Sequence, residues 1–198
     1  MRSSVSTYWR IMQGANGCVR VYGLLLVMCF MIVCRTSASA QHTDIRELRN
    51  LYYRSYKEKK QAELLHEQLA NVSITNPLYY GYKAISSIML CNHVNNPYTK
   101  LKYFYTGKNQ LEAAIKSMST DPELRYLRFA VQCNAPAVLN YNDNIREDKK
   151  ILLDYIGSKR HQSDDEDLYK RICDYLSTSK ALTAAERAMA KNTGTNKG

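Results

Sequence analysis

Few residues in this chain have both the type and the spacing to do chemistry. Glu63, His66 and Glu67 come closest, because residues three and four apart share one face of a helix and a Glu-x-x-His pair there supplies half of a di-iron carboxylate site. No second Glu-x-x-His occurs in the sequence, so a solvated helix face accounts for all three. Cys91, Cys133 and Cys173 follow one another at spacings of 42 and 40 residues, which match no metal signature. They would allow one disulfide, with Cys91 and Cys133 both near predicted helix ends, but their default role is that of small core residues. Ser163-Asp164-Asp165-Glu166 lacks the alternating oxygen ligands and glycine turn of a calcium loop and reads instead as a capping box. Gly107-Lys108 lacks the glycine-rich run that cradles a phosphate. A glycine within a helix costs about 1 kcal/mol against alanine, so close helix packing explains Gly107 better than a ligand does.

Nucleophile and acid–base motifs are missing too. There is no G-x-S-x-G, H-E-x-x-H, C-x-x-C or P-loop, and the four histidines fall singly in polar segments. The reading is therefore a non-enzymatic chain without cofactor or metal, the rival being a small envelope hydrolase or lytic enzyme whose site is assembled from distant residues. Tyrosine is abundant instead, 16 residues in all. Tyr79, Tyr80 and Tyr82 cluster at one predicted helix start and Tyr98, Tyr103 and Tyr105 at the next. Such rings could line a groove for a sugar chain or extended peptide, or pack in the core with hydroxyls at the rim, and Tyr82 falls on an apolar stripe. The candidate partner contacts are Tyr79, Lys100, Lys102 and Tyr103.

The elements that must position these residues are helices. Asn76-Pro77, Asn96-Pro97 and Asp121-Pro122 each pair a capping side chain with a proline suited to the first helical position. Behind them apolar residues recur at helical spacing: Leu78, Tyr82, Ile85 and Met89; then Leu101, Phe104, Leu111, Ile115 and Met118; then Leu124, Leu127 and Val131. The segment from Thr43 to Asn71 is helical by pattern, with Thr43 as cap, and leaves open whether one helix or two broken near Lys57 to Lys60 results. Asn144 or Asn142 caps a helix ending at Gly157, on which Asp148, Lys149 and Lys150 read as a salt-bridged surface. Leu168, Ile172 and Leu176 mark the next helix, and Thr183-Ala184-Ala185-Glu186 caps a last one to about Lys191. The expected fold is all-α, seven to eight helices in stacked antiparallel hairpins.

Gly107 to Val131, with its paired Ala113-Ala114, Ile115, Pro122 and renewed apolar stripe, resembles about one tetratricopeptide repeat. A longer phrase runs from Asn96-Pro97 through Lys100 to Phe104, Gly107-Lys108, Arg125 to Phe129, Asn134 to Pro136 and Tyr141 to Lys150. It resembles a group of exported helical proteins of Bacteroidota-type bacteria, a likeness that brings no activity with it.

Residues 1–40 contain four arginines and no acidic residue, and the 14-residue apolar run Val21 to Cys34 precedes Ala38-Ser39-Ala40. This pattern predicts a cleavable secretory signal, too short in its apolar part for the roughly 20 residues that span a bilayer. Its removal leaves 24 basic against 18 acidic residues, a net charge of +6 instead of +10. That mild excess favours anionic surfaces, while nucleic acid is a poor partner for a chain with no basic arm or binding module. The expected organisation is a signal over 1–40, one helical domain over 41–191 and a disordered tail over 192–198. The expected role is an exported interaction or scaffold protein, periplasmic, at the cell surface or secreted, that binds a protein segment or acidic polymer and touches the membrane only through its signal.

Overall fold

A computed structural model describes residues 44–158 and 164–195. The signal read over residues 1–40 and the caps assigned to Thr43 and Ser163 lie outside the described residues. Among the described residues there are eight α-helices and no strand: α1 Ile45–Ser55, α2 Lys59–Gln68, α3 Pro77–Leu90, α4 Pro97–Ser117, α5 Pro122–Asn134, α6 Ile145–Gly157, α7 Glu166–Thr178 and α8 Ala184–Thr195. The all-α class and the helix number agree with the sequence reading.

The three proline-marked starts form as their chemistry requires. The side chains of Asn76, Asn96 and Asp121 accept hydrogen bonds from the backbone N–H of Tyr79, Thr99 and Leu124 at 3.4, 3.1 and 2.8 Å, with proline in the first turn each time. At the first helix Asp44 does the capping, accepting from the Arg46 N–H at 3.2 Å. The open question over 43–71 resolves as two helices, because no apolar residue between Lys57 and Gln61 holds the intervening turn to the core. Thr183 and Glu186 exchange the two reciprocal bonds of a capping box, at 2.7 and 3.2 Å.

Two helix ends differ from expectation. The cap of α7 is Asp165, which accepts from the Leu168 N–H at 3.0 Å, so the helix begins at Glu166 and the acidic run lies across its first turn. At the other end α8 continues to Thr195, four residues beyond Lys191 and into the segment expected to be disordered. The bare Cα of Gly194 allows this, since a Cβ there would lie 2.9 Å from the Cys173 Cβ.

Successive helices pack as pairs, α1 with α2, α3 with α4, α5 with α6 and α7 with α8. The α3–α4 pair is the tightest, and glycine sets its spacing: a Cβ on Gly107 would meet the Ala84 carbonyl oxygen at 2.5 Å and Ile88 Cγ1 at 2.6 Å. Gly81 likewise sits directly under the Leu124 side chain. Two apolar clusters result. One gathers α1 to α4 with Leu124, Leu127 and Val131 of α5; the other joins Phe129 of α5 to α6, α7 and α8. Helix α5 therefore belongs to both, and Tyr126 packs against each.

Candidate functional site

Buried charge is concentrated on α5, a helix with almost no solvated face. Glu123, Arg125 and Arg128 are all buried on it. Glu123 receives a two-pronged bond from Arg49 of α1, Nε to Oε1 and Nη2 to Oε2, both 2.7 Å, and a 2.5 Å bond from the Tyr82 hydroxyl. The same guanidinium donates to Asp165 at 2.7 and 3.1 Å and to Asp167 at 3.0 Å. Arg171 donates to Asp167 and reaches the Asn50 side chain at 2.6 Å. Burial opposes the charge on Arg49, but these bonds outweigh it and hold the guanidinium charged above its ordinary range. Burial, then the neighbouring Glu123 charge, pushes the Tyr82 hydroxyl well above its ordinary value.

A second network begins two residues further along α5, at Arg125, and includes Arg128. Asp148 of α6 has no exposed surface and accepts from Arg125 Nη1 at 2.9 Å and from Arg128 Nε and Nη2 at 2.7 and 2.8 Å. This corrects the reading of Asp148 as part of a salt-bridged surface: it faces inward, while the next residue, Lys149, pairs with Glu186 at 3.0 Å. Glu112 of α4 joins by accepting from Arg128 at 2.8 Å and from the Tyr141 hydroxyl at 2.5 Å. The ionised groups of both networks are paired with partners of opposite charge, and each network ties helices together.

Beyond the end of α5 lies an open cleft of about 770 Å³ between the α5–α6 connection and the end of α7, lined by Gln132, Cys133, Asn134, Tyr141, Tyr175 and Ser179 among others. Gln132 donates to Asn144 at 3.3 Å, and its own Oε1 has no partner among the described residues. Burial raises the Cys133 thiol, and a bond from Ser179 works the other way. The three described cysteines are separate thiols, with Cys91 and Cys173 each pushed up to about 11, chiefly by burial.

The four residues singled out from the sequence fall at two places. Tyr79 is half-buried in the first turn of α3, and burial, then the charges of Asp44 and Glu123, raises its hydroxyl. Lys100 and Lys102 are exposed and Tyr103 half-buried in the first two turns of α4, where the Tyr103 ring meets His66 edge-on at 6.2 Å. Because Gly107 faces Ala84 and Ile88 while Gly81 faces Ala114, α3 and α4 run antiparallel. The start of α4 therefore adjoins the end of α3, about 16 Å along the axis from Tyr79 at 1.5 Å per residue. His66 bonds Ser86 at 2.9 Å and Glu63 pairs with Lys59 at 3.5 Å, so the Glu-x-x-His segment is used structurally. Tyr82 is core, whereas Tyr98, Leu101 and Tyr105 stand exposed along the outer side of α4.

The sequence reading did not include Tyr53 and Tyr56, exposed around the α1–α2 turn among Arg54, Lys57, Lys59 and Lys60. His93, in the short turn between α3 and α4, bonds the Ser55 carbonyl at 2.9 Å and so fixes that turn beside the start of α4. The available signal was the composition of Tyr52 to Lys60, two aromatics and four bases against one acid after Tyr52.

Fold and site together define an all-α protein of paired helices whose buried charged groups are held in internal ion networks. The chain matches no protein-family model, no curated protein and no solved structure.

Proposed function

We propose that this is an exported helical interaction protein of the cell envelope, periplasmic in location, which takes a protein segment or acidic polymer on a helical face. The observation that carries the reading is the outer side of α4, where Tyr98, Leu101 and Tyr105 are exposed at positions i, i+3 and i+7 with Lys100 and Lys102 beside them. Apolar anchors at that spacing, flanked by one sign of charge, suit an amphipathic segment of opposite charge. The pairing of consecutive helices supports the finer reading of a tetratricopeptide-like scaffold, whose working parts are faces, not reactive groups.

The test is affinity capture from envelope extract with the chain from Gln41 to Gly198, at low and moderate salt, followed by mass spectrometry. One dominant partner that is lost with the Lys100→Glu, Lys102→Glu pair supports the reading. Equal retention by the variant, or no partner under either condition, overturns it.

A further inference from the structure

We infer that the end of the molecule formed by the α1–α2 turn and the first residues of α4 is a docking surface for an anionic lipid bilayer. Tyr53, Tyr56 and Tyr98 are 77, 62 and 77% exposed, high values for rings that could have packed inward like Tyr82. Residues 53–60 and 97–102 carry Arg54, Lys57, Lys59, Lys60, Lys100 and Lys102 against the single acid Glu58, with Glu63 paired to Lys59. The His93 bond to the Ser55 carbonyl and the contact of Tyr103 with His66 hold the two stretches together on one end.

Tyrosine has an apolar ring and a polar tip, a combination that settles at the headgroup level of a bilayer, and lysines and arginines beside it are drawn to anionic headgroups. Here the rings stand out from turns and a helix start, and the cleft beyond α5 is lined by other residues, those around the α5–α6 and α7–α8 connections. The basic excess of these two stretches draws this end of the molecule toward an anionic surface. No described helix is long and apolar enough to cross a membrane, so the contact is peripheral. From sequence, membrane contact is expected only through the signal segment; this surface adds a second contact, one that persists after cleavage. The inference goes beyond the proposed function and shares with it Tyr98, Lys100 and Lys102 at the rim.

Residues 44–198 form a compact unit of their own, so the chain from Gln41 can be tested by itself. Sedimentation with vesicles of phosphatidylcholine, with and without phosphatidylglycerol, should give about tenfold stronger binding to the anionic vesicles, reduced by salt. Replacing Tyr53, Tyr56 and Tyr98 by serine should weaken binding to both vesicle types, and Lys57→Glu with Lys60→Glu should abolish the anionic preference, each at unchanged helicity. The only tryptophan of the sequence is Trp9, so Tyr98→Trp adds a unique fluorophore, expected to shift to the blue on anionic vesicles. Equal binding to both vesicle types, parent-like binding by the variants, an unshifted tryptophan, or equally tight binding to soluble polyglutamate overturns the inference. Tyr98 belongs to both faces, but Lys57 and Lys60 lie off α4, and Lys100 and Lys102 stay intact throughout, so the Lys57→Glu, Lys60→Glu result stands apart from the capture experiment on α4.

Discussion

Arg49 carries a full charge where water is excluded, and the arrangement holds because three carboxylates close around one planar guanidinium. Deleting one member of such a buried group is far more damaging than replacing the group whole, because the partner left behind stays charged and desolvated. Arg49→Met should therefore cost about 3–5 kcal/mol in urea unfolding, and Arg49→Met with Glu123→Leu should recover much of that loss. Burial disfavours charge on Asp165 and Asp167, yet the bonds from Arg49 to the first and from Arg171 and Arg49 to the second prevail and hold both carboxyls below the ordinary range. With folded values below the unfolded one of about 3.9, their contribution is complete above that pH and lost as pH falls through the depressed values. Unfolding free energy measured at stepwise lower pH should stay level down to about pH 4 and then drop, and the drop should be shallower in Arg49→Met. None of this was legible beforehand, because Arg49 and Glu123 are 74 residues apart and each looks like a helix-surface charge in its own segment. The one local sign was that Arg49 follows Leu48 and Glu123 precedes Leu124, both on apolar stripes, so each charge lies at the edge of a face that must be covered.

Helix starts were the most legible elements. An Asn or Asp directly before proline, followed by an apolar stripe, carries its own physical cause, and α3, α4 and α5 begin where that signal places them. The start of α7 was harder, because its true cap, Asp165, also serves a residue 116 positions away. The close approach at Gly107 was legible from a helix-disfavouring residue in the middle of a helix, and the structure shows what fills the space. Gly107→Ala forces a methyl group against the Ala84 backbone carbonyl, which cannot turn aside. Overpacking of about 1–3 kcal/mol, less the roughly 1 kcal/mol gained in helix propensity, leaves an expected net loss of up to about 2 kcal/mol. Gly81→Ala meets only the end of the flexible Leu124 side chain and should be milder. Thermal melts of the two variants decide this: equal losses, or a larger loss at Gly81, would contradict the geometry.

At the scale of the molecule, two apolar clusters share one helix, and the Arg49 network ties α1, at the outside of one, to the start of α7, in the other. Neither cluster can open without taking Glu123 or Asp165 from Arg49. The described unit should therefore unfold in one cooperative step, with coincident urea transitions from circular dichroism and from exposure of the Cys173 thiol, which has no accessible surface in the fold. Two separate transitions would show that α5 does not couple the halves. The hydrogen bond between Arg49 and Asp165 also bears on how the chain is made. A polypeptide synthesised from its amino terminus carries Arg49 through 116 further residues before its second carboxylate partner exists. Until α7 has been added, Glu123 is the one carboxylate of this network that Arg49 can reach, so the contact joining the two clusters is completed late in synthesis.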